Sequence, residues 1–125
     1  MRILKAALDT LLLDNVCEIR FPRRIVKPGQ APTRRMLCTK SLSLLDSTNG
    51  RISLNYFPPK GPPKWYLGPD NLAVAWDIMM QDFRNVNMNE CELIQQIPAN
   101  DDFWEYFNEN IYPMSADQKF NFMNS

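Results

Sequence analysis

Apolar and polar positions alternate with a period of two in five stretches of this chain, and each predicts a strand with one face inward. Cys17, Ile19 and Phe21 oppose Glu18 and Arg20 in Val16 to Phe21, and Met36 and Cys38 point inward in Arg34 to Lys40. Leu72, Val74 and Trp76 alternate with Ala73, Ala75 and Asp77, and after a break at Met79 to Asp82 the pattern resumes as Phe83 to Met88 and again as Glu92 to Ile97. The run from Asn71 to Ile97 contains no proline. It therefore predicts an antiparallel meander of three strands joined by short turns. Ile52, Leu54 and Tyr56 predict a short edge strand after an Asn49-Gly50 turn, and Ser41 to Ser47 a short helical or irregular turn.

The period changes to helical at both ends. Leu4, Ala7, Leu8, Leu11 and Leu12 fall on one stripe of a helix over Arg2 to Leu13, suited to covering an open end of a barrel. After Pro98, Asn100 stands as an N-cap ahead of Asp101 and Asp102, where the helix dipole favours carboxylates. Phe103, Phe107 and Ile111 line one side of that helix with Trp104 beside them, and Pro113 ends it. Ser115 and Gln118 have capping-box spacing before Phe120, Phe122 and Met123. A tail this aromatic must bury its rings against the body or against a partner, since disordered segments are poor in aromatics.

Prolines and glycines divide the rest. Pro22, Pro28, Gly29 and Pro32 interrupt a loop between the first two strands, and Pro58, Pro59, Gly61, Pro62 and Pro63 form an extended connector leading to Trp65, Tyr66 and the Gly68-Pro69 turn. The connector reads as a rigid spacer, with a PxxP ligand as the alternative.

Length and composition bound the class. The 125 residues suffice for one domain, and the longest apolar runs fall far short of a membrane span. No small-residue cleavage site follows the N-terminus, so a soluble, cytosolic protein is expected. Cys17, Cys38 and Cys91 each sit in an apparent strand, which predicts buried free thiols rather than disulfides or a zinc site.

Formal net charge is zero, but residues 1–71 hold twelve Lys and Arg against five acids, and residues 72–125 hold two against nine. The basic excess concentrates in the first hairpin. Arg20, Arg23, Arg24, Lys27, Arg34 and Arg35 could neutralise phosphates or meet an acidic partner, or form a solvated hairpin tip. With Arg84 they are the candidate phosphate-facing set, and Trp65 or Tyr66 the candidate stacking groups. An acidic tail folded over this hairpin would mask it.

Catalytic chemistry has little to work with. The chain has no histidine, its four glycines form no phosphate loop, and its cysteines lack an evident activating partner. We expect no enzyme, no cofactor and no metal.

Three pieces carry a resemblance. Arg34, Met36, Cys38 and Thr39 give an Arg-x-Met-x-Cys-Thr pattern, Trp76-Asp77 ends an apolar strand, and Phe83-Arg84 opens the next. Together they resemble the Sm-like, SH3-type small-barrel family found mostly in bacteriophages and related to the WYL domain. The resemblance spans roughly residues 1–97 and implies a mainly β (α+β) fold. It would be a small barrel of about five strands with an N-terminal helix, followed by a helical tail over residues 98–125. The chain departs from the pattern at Asn87, where a second basic residue is usual, and at Asn89-Glu90-Cys91-Glu92, which is acidic where WYL domains commonly place a ligand-facing arginine. The expected role is a phage-type accessory protein in the host cytoplasm that binds a host or viral protein, with Phe103, Trp104, Phe107, Ile111 and Phe120 of the tail as partner-facing groups. The alternatives are a nucleic-acid-binding module using the basic hairpin, and a structural or dimerisation module.

Overall fold

The computed structural model describes residues 2–56 and 72–125, so the proline-rich connector, Trp65 and Tyr66 lie outside the described residues. Helix α1 (Lys5–Asp14) leads into β1 (Asn15–Pro22) and β2 (Thr33–Thr39). Two short helices follow, α2 (Leu42–Leu45) and α3 (Thr48–Ser53), then β3 (Leu72–Asp77), β4 (Asp82–Asn87) and β5 (Glu92–Pro98). The chain closes with α4 (Asp101–Tyr106), which runs on into a π-helical turn (Phe107–Ile111), and α5 (Ala116–Met123). The fold is α+β, built on one antiparallel sheet with strand order β4-β3-β2-β1-β5.

That order corrects the three-strand meander. β3 and β4 form the expected hairpin, but β5 pairs with β1 rather than β4, from Asn15 opposite Pro98 to Arg20 opposite Glu92. The expected barrel is likewise not closed, because β4 and β5 are the two edges of the sheet. The sheet nevertheless curls. Five residue steps from Asn87 to Glu92 reach at most roughly 18 Å, whereas a flat five-stranded sheet sets its edges about 19 Å apart. The link is also far from stretched: Cys91 donates its N–H to the Met88 carbonyl at 3.4 Å, and Glu90 has a φ of 56°. The Asn87 side-chain amide donates to the Pro22 carbonyl at 3.2 Å, tying the end of β4 to the end of β1 past the intervening strands.

Both faces of this sheet are covered, so single-face alternation understated the burial. Inside the curl, Cys17, Ile19, Phe21, Met36, Cys38, Ala73, Ala75 and Val86 pack with Leu8 and Leu12 of α1. Only Leu8 and Leu12 of the predicted stripe are fully buried. Leu4 is 80% exposed and Ala7 is also exposed, since the helix meets the sheet along a narrow seam. On the outer face, Val16 and Leu37 join Leu44, Leu45, Leu54, Tyr56, Trp76 and the tail's Phe103, Phe107 and Ile111 in a second core. Trp76 stands edge-on between Tyr56 and Phe83, with centroids 5.1 Å and 5.0 Å away.

The segment expected as a turn and edge strand is helical instead. Asn49 and Gly50 lie within α3, Ile52 is exposed on it, and Leu54 and Tyr56 reach the outer core from just beyond its end. Gly50 is required by a close approach: a Cβ there would lie 2.3 Å from the carbonyl oxygens of Leu44 and Leu45. Ser47 caps α3 by accepting the Gly50 N–H at 2.9 Å.

All three cysteines are free and buried, although Cys91 precedes β5 instead of lying in a strand. Burial pushes the Cys17 thiol up to about 12 and the Cys91 thiol to about 11, with the neighbouring Cys91 and Glu92 respectively adding to the shift. Among the described residues, no helix is long and apolar enough to cross a membrane.

Candidate binding interface

The basic hairpin is a standing structure, tied at its base and exposed at its tip. Arg23 donates its backbone N–H to the Pro32 carbonyl at 2.9 Å and its Nε to the Ala31 carbonyl at 3.0 Å, closing the neck. Lys27 and Gln30 close the tip: the Gln30 N–H donates to the Lys27 carbonyl, and the Lys27 N–H to the Gln30 side chain, each at 3.1 Å. Gly29 supplies the left-handed backbone at φ 83° that completes this turn. Beyond the neck, Arg24, Ile25, Val26 and Lys27 all face solvent, with Ile25 76% and Val26 50% exposed.

Apart from Arg23, which closes the neck, the predicted basic residues divide into two groups. Arg34 pairs with the buried Asp77, Arg35 Nε donates to the buried Glu18 at 2.9 Å, and Arg84 pairs with the exposed Asp82 at 3.0 Å. Arg20, Arg24 and Lys27 have no side-chain partner among the described residues. The register explains the Arg35 pair, because Glu18 faces Leu37 across β1 and β2 and is therefore diagonal to Arg35 on the same face. Gln95 of β5 donates to the second Glu18 oxygen at 2.9 Å, so the carboxylate is held from both neighbouring strands.

Asp77 organises the other side. Its Oδ1 accepts the N–H groups of Met79 and Met80 at 3.0 and 3.1 Å, which shapes the turn between β3 and β4. Burial raises its pKa, against the lowering effect of Arg34 and the two N–H groups. Arg34 thus links the hairpin to that turn.

The tail docks onto the hairpin through neutral groups. Asn124 Oδ1 accepts from Arg23 Nη2 at 3.0 Å and from the Ala31 N–H at 2.9 Å. Ser125 Oγ accepts from Arg35 Nη1 at 3.1 Å, and the Arg35 guanidinium lies 4.2 Å from the Phe122 ring centroid. The tail thus lies over the hairpin base, but not through its acids: among the described residues none of Asp101, Asp102, Glu105, Glu109 or Asp117 pairs with a hairpin base. Those acids sit on the exposed sides of α4, the π turn and α5.

Of the five tail residues expected to face a partner, Phe103, Phe107 and Ile111 are buried against the chain's own sheet. Trp104 is half-buried at 5.0 Å from the Phe103 ring, and Phe120 is 46% exposed. Phe120 lies on a cleft of about 430 Å³ whose rim also holds Arg23, Lys27, Arg34 and Arg84. Sequence reasoning missed Gln30, Met80, Met123 and Asn124, which complete this cleft, because no local pattern brings α5 and the β3–β4 turn beside the hairpin. It also passed over Ile25 and Val26, although an apolar pair between basic residues in a proline-flanked loop is a readable signal of exposure.

Among the described residues, no group of three or more His, Cys, Asp or Glu side chains is placed to hold a metal ion. No family model matches the chain, and neither a curated protein nor a solved structure matches it.

Proposed function

We propose that this chain is a non-enzymatic accessory protein that docks on the acidic surface of another protein through the tip of its β1–β2 hairpin. The observation that carries the reading is the exposed Ile25-Val26 pair set between Arg24 and Lys27. Apolar side chains held out by a closed neck offer desolvation energy to a partner, and the flanking cations select a surface of opposite charge. The buried, protonated thiols support a binding role, because a thiol must ionise to act as a nucleophile. The bacteriophage setting and a host or viral partner in the host cytoplasm rest on the family resemblance alone.

The nucleic-acid reading uses the same hairpin and is favoured by Arg20, Arg24 and Lys27, which lack internal partners among the described residues. It is disfavoured by Arg34, Arg35 and Arg84, whose own carboxylates compete with phosphate. Self-association has one structural support, the two strand edges of the open sheet, and light scattering over a concentration series reads it directly.

Affinity capture in the presence of nuclease tests the main reading. A protein retained by the native chain and lost by the Ile25→Asp, Val26→Asp double variant is the expected result. Equal retention by both overturns docking through the tip.

A further inference from the structure

The cleft between the hairpin base, the β3–β4 turn and α5 shares Lys27 and Gln30 with the tip but not its apolar pair, since Ile25 and Val26 do not line it. Four cations converge on it: Arg23, Lys27, Arg34 and Arg84. Two carboxylates answer them, Asp77 on Arg34 and Asp82 on Arg84. Asp77 is further committed to the Met79 and Met80 N–H groups. Arg23 and Lys27 therefore leave an excess of two positive charges. Burial, and after it the Arg34 charge, lowers the Arg23 pKa.

The remaining wall is apolar. Phe120, 46% exposed, and Met80, 45% exposed, face the cleft with Met123. An aromatic ring and two thioethers form a surface on which a planar ligand ring stacks well. The volume, about 430 Å³, lies within the range of small-molecule sites.

We propose that this cleft binds a phosphate monoester carried on an aromatic body, with Arg23, Lys27 and Arg84 holding the phosphate and Phe120, Met80 and Met123 receiving the ring. A phosphate monoester carries about −1.5 to −2 at neutral pH, which matches the two uncompensated cations. Arginine suits the task because its planar fork meets phosphate oxygens in pairs. Gln30 stands at the rim, its amide oxygen on the Lys27 N–H and its nitrogen open to a ligand, while Asn124 is held by Arg23, Ala31 and the Phe120 carbonyl. Lys27 belongs to both this cleft and the tip, so the two sites are told apart through Arg84, which lines the cleft and is no part of the tip.

Calorimetric titration of the intact chain with phenyl phosphate, inorganic phosphate and phenol tests it. Expected are saturable binding of phenyl phosphate, at least tenfold weaker binding of inorganic phosphate, and none of phenol. Arg23→Gln and Arg84→Gln should each weaken phenyl phosphate binding at least tenfold. Arg84 bonds exposed Asp82 and the carbonyl of adjacent Phe83, both within its own strand, so its variant keeps the fold even if loss of the Arg23 bonds loosens the hairpin neck. Titration with adenosine monophosphate and with O-phosphotyrosine then assigns the source, the tighter of the two naming a nucleotide or a phosphorylated side chain. No saturable heat with any phosphate monoester at millimolar concentration, or unchanged affinity in the Arg84→Gln variant, overturns the proposal.

Discussion

The guanidinium of Arg35 lies 4.2 Å from the ring centroid of Phe122 and stands between that ring and the buried carboxylate of Glu18. One side chain thereby fastens the last helix to the sheet and neutralises a charge inside it. The two tasks differ greatly in energy, and so do the variants that separate them.

Loss of the helix contact should be mild. α5 buries none of its residues fully, and a cation–π contact at a part-exposed site contributes about 0.5–1 kcal/mol. Phe122→Ala should therefore lower unfolding free energy by about 1 kcal/mol. Amide exchange over Ala116–Met123 should accelerate while that of β1 and β2 stays slow.

Loss of the buried pair should be severe. Arg35→Ala leaves the Glu18 carboxylate, 1% exposed, with Gln95 as its remaining side-chain donor, and breaking one partner of such a pair costs about 3–5 kcal/mol. The Glu18→Leu, Arg35→Met double variant should recover most of that loss, because it removes the uncompensated charge. Chemical denaturation of the three chains checks the order.

Gly50→Ala should destabilise although alanine favours helices. Its Cβ would press within 2.3 Å of two carbonyl oxygens in α2, where backbone must move. Overpacking of this kind costs about 1–3 kcal/mol, which exceeds the roughly 1 kcal/mol that alanine gains over glycine in a helix. A lowered thermal midpoint is the expected readout.

The buried thiols predict an alkaline limit to stability. Folding raises the Cys17 pKa to about 12 and the Cys91 pKa to about 11, and Cys38 also rises well above its ordinary value. A raised folded pKa gives stabilisation that is complete below the unfolded thiol's value, near 8.5, and is lost as pH climbs through the folded one. Stability should therefore be insensitive to these groups at neutral pH and fall above about pH 9, by about 1.4 kcal/mol per pH unit for each thiol released. Native protein at pH 8 should resist thiol reagents, and unfolded protein should titrate all three cysteines.

What could be read from the sequence was local. The caps at Asn100 and Ser115, the strands β1 to β4 and the tail helices followed from neighbouring residues alone, and the structure has each of them. The pairing of β5 with β1 could not be read, because a strand's pattern says which face is apolar and not which strand lies beside it. Asn49-Gly50 misled for a related reason: a strong turn dipeptide was placed in a helix by the approach of α2, a tertiary demand that favours glycine there. At the candidate site the basic hairpin was visible in the sequence. Its internal neutralisation by Glu18 and Asp77 was not, since the first pairing depends on the β1–β2 register and the second on β3 lying beside β2.

The central claim is that the hairpin tip selects a protein partner by apolar contact and charge together. Its most direct measurement is nuclease-treated affinity capture with the native chain, the Ile25→Asp, Val26→Asp variant and the Arg24→Glu, Lys27→Glu variant side by side. The expected result is a protein retained by the native chain, released by rising salt and lost from both variants. A partner retained undiminished by both variants, or recovery of nucleic acid alone when nuclease is omitted, would contradict it.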